Sequence, residues 1–277
     1  MSPWRLVRAL ALSCHPIPSV AVTALSAGLA ALAGLPLGRG ALVTGAVFTG
    51  QLSIGWSNDY IDADRDRASL RSDKPLATDE IAPRTIGIAA AVAVVCTIAL
   101  SALLGWPSGA VAILTVLTAW AYNLGLKGTV LSWLPYAVAF GLSPAIATLA
   151  ASPPRWPAAW VLSVGVLLGT AAHLGNVLPD LADDAATGIR GLAHRIGARA
   201  TALTAAGLLL AASVVILLGP YGHAGPWRWA GLLAAVLMAG AATRFAFRDP
   251  SSRRFFFAII VIAGLDLVSF AFSGIRL

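Results

Sequence analysis

The sequence predicts an all-α integral membrane protein with nine transmembrane helices, on three observations. Its 277 residues are 58% hydrophobic and 11% charged, with a mean hydropathy of +0.82, which leaves too little polar surface to cover a soluble globule. Apolar stretches long enough to cross a hydrocarbon core recur along the whole chain. The basic residues are concentrated in alternate connecting segments, as the positive-inside rule requires.

The first twenty residues place Arg5 and Arg8 ahead of an apolar run, the outline of a signal peptide. Pro16 and Pro18 interrupt that run and the apolar character continues to Leu37, so the segment reads as an interfacial stretch feeding a first span over 17–37. Further spans are expected at 40–57, 84–104, 108–126, 130–151, 157–178, 200–218, 227–243 and 255–275, with Pro107, Pro135 and Pro144 delimiting or kinking them. A cytoplasmic N-terminus leaves only Arg39, Arg155, Arg228 and Arg276 of the nineteen basic residues outside. An odd number of spans then sends the C-terminus outside. The plasma membrane is the expected location, and basic inside loops facing an anionic leaflet account for the formal charge of +7. No soluble basic domain interleaved with aromatics is present, which excludes a nucleic-acid partner. Cys14 and Cys96 lie far apart in apolar surroundings and suggest neither a disulfide nor a metal pair. With no linker or low-complexity tract, residues 1–277 read as a single membrane domain.

Function is signalled by a spacing, Asn-x3-Asp-x3-Asp, that occurs twice: Asn58, Asp62, Asp66 and Asn176, Asp180, Asp184. On an α-helix a step of four residues advances about 400°, so each trio is expected on one face with oxygens roughly 6 Å apart in rise. Asp59, Asp64 and Asp183 thicken the two ladders. Both ladders fall at the cytoplasmic ends of their spans, so the chain looks like two related halves. Facing ladders of this kind suit Mg²⁺, which prefers carboxylates and keeps waters or phosphate oxygens as remaining ligands; the natural third party is a diphosphate. A single Asp-rich loop is usually a solvated helix end, but two copies of identical spacing on one side of the membrane argue against that. A calcium EF-hand is excluded, because its ligands alternate at every second position around a Gly turn.

Asn58-Asp59-x2-Asp62-x3-Asp66, followed by Asp73-Lys74-Pro75-Leu76, and then Asn176-x3-Asp180-x2-Asp183-Asp184-x3-Gly188, resemble the two signature regions of the UbiA superfamily of intramembrane prenyltransferases. The resemblance implies nine transmembrane helices around a central cavity, with the ladders at its cytoplasmic mouth. Asn58, Asp59, Asp62, Asp66, Asn176, Asp180 and Asp184 would bind Mg²⁺ and an isoprenyl diphosphate there. The family typically passes the prenyl group to an aromatic or other lipophilic acceptor. Lys74 and Lys127 match family positions near the diphosphate, and Tyr122 resembles a family tyrosine beside it. Two departures stand out: five residues separate Tyr122 from Lys127 where some members have four, and His15-Pro16 replaces the Arg-Pro of several members.

An allylic diphosphate ionises when the charge of its leaving group is neutralised, by metal ions and by cationic hydrogen-bond donors. Lys74, Lys127, Arg65 and Arg190 are the expected donors, each with positive-inside anchoring as its alternative role. Asp62, Asp180, Lys74 and His173 form the expected catalytic set. His173, three residues before Asn176, has three roles open to it: orienting an acceptor, taking its proton, or bonding within the core. Trp56, Tyr60, Trp120, Trp133, Tyr136 and Phe140 are candidate cavity rings that could stabilise a cation, with helix packing as the alternative for each. Asp266 sits within the ninth span, away from both ladders. No Lys or Arg lies deep in a span, which argues for a neutral acceptor, a quinone precursor, or none. Prenyl transfer is therefore the expected function. A terpene cyclase of the same superfamily is the alternative within enzymes, and an ion-coupled transporter is disfavoured because the acids sit at the membrane face.

Overall fold

The computed structural model describes residues 2–69, 71–219 and 225–272, and among them there are helices and turns but no strand. An amphipathic α1 (Pro3–Ser13) leads into α2 (Pro16–Leu32), α3 (Leu37–Ala68), α4 (Pro83–Leu103), α5 (Trp106–Asn123), α6 (Leu134–Leu149), α7 (Ala159–Val177), the short α8 (Leu181–Ala186), α9 (Leu192–Leu218), α10 (Pro226–Arg248) and α11 (Arg254–Phe272). Proline repeatedly opens these helices, at Pro3, Pro16, Pro83 and Pro226 among others, where its missing N–H costs nothing and its fixed φ suits the first turn.

Each of the nine expected spans coincides with a helix, but nine membrane crossings are not confirmed. Five helices are individually long and apolar enough to cross, including α7 continued through α8, and the bent pair α1–α2 makes a sixth. The shortfall has a physical cause. The helix α3 carries Arg39, Gln51 and the charged first ladder, and α6, although apolar, is only 16 residues long with Pro144 inside it. Boundaries moved as well. The second expected span ends at 57, whereas α3 runs on to Ala68, carrying the first ladder beyond the apolar stretch. The last expected span reaches into 273–277, outside the described residues.

The helices close into a ring. Along it, α3 packs on α2, α4 and α5; α6 joins α5 to α7; α9 joins α7 to α10; and α11 meets α7, α9 and α2. Two glycines let α6 and α7 approach at backbone distance: a Cβ at Gly165 would collide with the Phe140 carbonyl, and one at Gly169 with that of Tyr136. At the end of the bundle away from the ladders, the Arg39 guanidinium donates to the carbonyls of Leu104 and Ala150, tying α3 to the ends of α4 and α6.

The N-terminal expectation of an interfacial segment takes the form of α1, capped by the Ser2 hydroxyl and turned by 70° from α2. Its Ala9 packs with Ala63, Leu76, Ile81 and Ile86, whereas Trp4 remains 75% exposed. At the elbow His15 has φ +54°, and Gly55 of α3 is required because any Cβ there would run into the Cys14 carbonyl.

Candidate active site

The ring encloses a cavity of about 610 Å³. Its deep walls are apolar, built from residues such as Val22, Val47, Val116, Leu168 and Ile259, and its mouth is lined by Asp62, Asp66, Asp180, Asp183 and Asp184 against Arg65, Arg71, Lys74, Lys127 and Arg253. Carboxylates and cations are thus balanced around one opening of an otherwise apolar chamber, a setting in which charge interactions are strong because little water screens them.

The first ladder sits where α3 outlasts its apolar stretch. Lys127, in the 3₁₀ turn after α5, donates to both Asp62 oxygens at 2.5 and 2.6 Å, and Arg65 reaches Asp62 Oδ2 at 2.6 Å. Lys74 lies 2.9 Å from Asp66 Oδ2. A neutral network continues the ladder inward. Asn123 spends its amide hydrogens on the Ile54 carbonyl and the Ser57 hydroxyl, so its Oδ1 can only accept, and Asn58 donates to it at 3.1 Å and to Asp62 at 3.2 Å. Asn58 therefore keeps its carbonyl oxygen as the acceptor it has left. Asp59 departs from expectation: it is absent from the cavity lining and instead takes His15 Nε2 at 3.0 Å and Lys74 Nζ at 2.9 Å. On the helix Asp59 stands only about 20° from Asp66, seven residues on, and Lys74 bridges the two.

The loop after α3 links the two ladders. Arg71 makes a two-pronged bond to Asp73 at 2.9 and 3.0 Å and comes within 3.6 Å of Asp180. The hydrogen bond from Arg71 holds the Asp73 carboxyl down at about 2, and the same bond raises Arg71 above the usual guanidinium range. Burial opposes charge on Lys74, yet Asp59 and Asp66 outweigh it and hold its ammonium above the ordinary lysine value. At Lys127 burial prevails over Asp62, and the ammonium is held below that value.

The second ladder does not lie on one regular α-helix. Asn176 ends α7, Asp180 closes a 3₁₀ turn over Leu178–Asp180, and Asp184 belongs to α8. Pro179 supplies no backbone N–H for the α pattern, and a 3₁₀ turn advances about 120° per residue, so the expected single face is broken. All three side chains still line the cavity. Asn176 donates to the Tyr136 hydroxyl at 3.4 Å, and Asp184 lies 3.7 Å from His194 Nε2. Among the described residues no three Asp, Glu, His or Cys side chains form a ready-made metal centre, and the first-ladder carboxylates are paired with cations.

His173 is buried just inside the mouth, with Tyr136 at 5.1 Å and the edge of Tyr122 at 5.8 Å between ring centres. Its Nε2 lies 3.0 Å from the Ser132 hydroxyl, which also accepts the Leu192 N–H. The Ser132 oxygen can give its hydrogen to Nε2 or accept one from it beside the Leu192 N–H, and Nδ1 has no partner among the described residues. Of the six candidate rings only Tyr136 and Phe140 line the cavity. Trp56 bonds the Leu10 carbonyl, Trp120 bonds Ser53, Tyr60 is half-exposed, and Trp133 is not in the lining. Arg190 is exposed and off the cavity, whereas Arg65, Lys74, Tyr122 and Lys127 are on it. Sequence reasoning assigned no role to Arg71, Arg253, Asn123, Ser132 or His194; Asn123, a polar residue closing an apolar span, was the one with a readable signal.

The family model for UbiA prenyltransferases matches residues 19–264. No curated protein sequence matches significantly. Among solved structures, a UbiA homolog from Aeropyrum pernix K1 without ligand is 17% identical, with a TM-score of 0.75 over 92% of this chain and 98% of that one. A UbiA homolog from Archaeoglobus fulgidus bound to DMAPP and Mg²⁺ is 14% identical, with a TM-score of 0.73 over 96% and 99% of the two chains. A structure from work on digeranylgeranylglyceryl phosphate synthase is 15% identical, with a TM-score of 0.68 over 98% and 99%. At these identities the likeness is one of fold.

Proposed function

The chain belongs to the UbiA prenyltransferase family, and we propose that it transfers an isoprenyl group from a prenyl diphosphate to a lipophilic acceptor in a Mg²⁺-dependent reaction. The observation that carries this reading is the juxtaposition of the charged mouth and the apolar chamber of about 610 Å³ behind it. A soluble anion such as sulfate would need the mouth alone and a lipid the chamber alone; a prenyl diphosphate needs both. The DMAPP and Mg²⁺ in the Archaeoglobus fulgidus relative add support.

The mouth fits a hard divalent cation, since it offers carboxylate and amide oxygens, and Cys14, also on the lining, keeps its thiol hydrogen on the Ala11 carbonyl. Asp62, Asp66, Asp180 and Asp184, with Asn58 and Asn176, would hold it; Asp59, which is off the cavity lining, would not. When bound, Mg²⁺ supplies Lewis-acid neutralisation of the departing pyrophosphate. Lys74, Lys127 and Arg65 exchange part of their carboxylate contacts for phosphate oxygens. The bond between the first prenyl carbon and oxygen breaks with its electron pair on pyrophosphate, and the faces of Tyr136 and Phe140 meet the allylic cation while the apolar walls keep water out. The acceptor then bonds the first prenyl carbon and gives up its proton, which the departed pyrophosphate can take, and His173 on the cavity lining is placed to orient the acceptor. The chain is a multi-pass membrane protein; we place its nine long helices as nine crossings of the plasma membrane, with the N-terminus and the mouth on the cytoplasmic side.

Incubation with a prenyl diphosphate and a lipid extract, followed by mass spectrometry, tests this. A product heavier than the acceptor by one prenyl group supports transfer. A cyclic hydrocarbon or cyclic alcohol of unchanged carbon count, formed without acceptor, replaces transfer with cyclisation.

A further inference from the structure

Lys74 stands between two carboxylates, with its Nζ 2.9 Å from Asp59 Oδ1 and 2.9 Å from Asp66 Oδ2. Only one of the two, Asp66, lines the cavity. We infer that Asp59, itself held by His15 from the elbow between α1 and α2, is the anchor that keeps the Lys74 ammonium at the mouth, which makes His15 and Asp59 positioning residues for the diphosphate. The inference rests on the prenyl diphosphate reading above and gives a task to two residues that reading leaves without one.

The two carboxylates differ in what they are free to do. Asp66 faces the cavity, so its oxygens can turn to a cation bound there, and Lys74 then loses one of its two partners. A lysine ammonium is a compact charge on a flexible four-carbon stem, and without a second partner it would spread over many rotamers before meeting phosphate. Asp59 is 2% exposed and off the lining, so it stays with Lys74 while Asp66 changes partners. One buried contact is thereby kept for aim, and the other is released for the substrate.

The anchor is fixed from the N-terminal side. Asp59 Oδ1 takes His15 Nε2 at 3.0 Å, and since a carboxylate can only accept, Nε2 is the donor. His15 reaches it from an unusual backbone: with φ +54° it is one of two non-glycine residues of positive φ among the described residues. The elbow around it is tied down. The Cys14 carbonyl accepts the Ser19 hydroxyl at 2.7 Å and lies against Gly55 of α3, and the Trp56 indole donates to the Leu10 carbonyl at 2.9 Å. Helix α1 also grips the loop that carries Lys74, because Ala9 belongs to one packed cluster with Leu76, two residues beyond that lysine and 1% exposed. Backbone and ammonium of Lys74 are therefore both referred to the same elbow.

The test uses the full chain in nanodiscs. Pyrophosphate release and thermal stabilisation are measured against the prenyl diphosphate, among those of one to four isoprene units, that the wild type turns over fastest. At saturating Mg²⁺, Asp59→Asn and His15→Gly should each raise KM, and the concentration needed for thermal stabilisation, at least about threefold with a smaller change in kcat. Glycine accepts the positive φ without strain, so a His15 that only shapes the elbow would leave His15→Gly at wild-type values. His15→Gln, whose amide can donate from nearly the same place, should stay within about twofold of wild type. On a Lys74→Ala background neither Asp59→Asn nor His15→Gly should add more than about twofold, because both act through Lys74. The Mg²⁺ concentration for half-maximal rate should not move. If Asp59→Asn does not fold, His15→Gly decides alone. An unchanged KM in the folded variants, a full further rise on the Lys74→Ala background, or a raised Mg²⁺ requirement in Asp59→Asn overturns the anchor and leaves the prenyl diphosphate reading standing. A wild type that neither binds nor ionises any of the four diphosphates overturns both.

Discussion

Replacing Asp62 by Asn removes one negative charge at nearly constant volume and takes from two cations the carboxylate they share. Asp62 is 5% exposed and faces Lys127 at 2.5 Å, itself 11% exposed, and Arg65 at 2.6 Å, which is 24% exposed. Removing one partner of a buried ion pair costs about 3–5 kcal/mol, because the remaining charge is left unpaired in a poor solvent. Arg65 can turn outward to water and Lys127 has nowhere comparable to go, so the lower end, about 3 kcal/mol, is expected. Activity should fall further than stability. An electrostatic stabiliser of a developing anion is worth about 10²–10³ in kcat, and Asp62 also organises two of the cations that meet the phosphate. The assay pairs a thermal midpoint in detergent with initial rates of Mg²⁺-dependent pyrophosphate release at saturating substrate. A folded variant should lose at least about a hundredfold in rate. Turnover within threefold of wild type would refute the reasoning, since Asp62 would then hold Lys127 and Arg65 for structure alone.

Lys74→Ala should raise KM for the diphosphate about tenfold or more while kcat changes less, the loss of one buried charge-assisted contact being about 1.5–3 kcal/mol; an unchanged KM would make Lys74 an anchor for Asp59 and Asp66 only. His173→Ala should slow transfer while slow diphosphate hydrolysis continues, read as product mass against pyrophosphate; equal loss of both would place His173 in packing. Gly169→Val should prevent recovery of monodisperse protein, because its side chain would enter the Tyr136 carbonyl, and a stable variant would contradict the close α6–α7 approach.

Much of this site was legible in the chain because a period of four residues maps onto one helical face without tertiary information. That is why Asn58, Asp62 and Asp66 came out together. The same reasoning failed at the second ladder, where Pro179 stood in plain view between Asn176 and Asp180 and converts the α pattern into a 3₁₀ turn. Asp59 stands within about 20° of Asp66 on the helix, and what keeps it off the cavity lining is its pairing with His15 and Lys74, which no periodicity reveals. Arg71 was invisible as a site residue: its bridge from Asp73 to Asp180 depends on the path of a loop that no periodicity constrains. Aromatic residues fared worst. Whether Trp56 or Phe140 turns inward depends on how each helix is rotated in the ring, and in a chain with apolar surfaces facing both lipid and core, hydrophobicity does not mark the inner face.

Cooperation of the two ladders is tested most directly by pyrophosphate release from a prenyl diphosphate by the purified full-length protein, with Mg²⁺ present and after its removal by a chelator. Release should require Mg²⁺, return when Mg²⁺ is restored, and be lost in both Asp62→Asn and Asp180→Asn. Release that continues undiminished in the chelator, or in either variant, would contradict the claim that the two acidic ladders work together on one diphosphate.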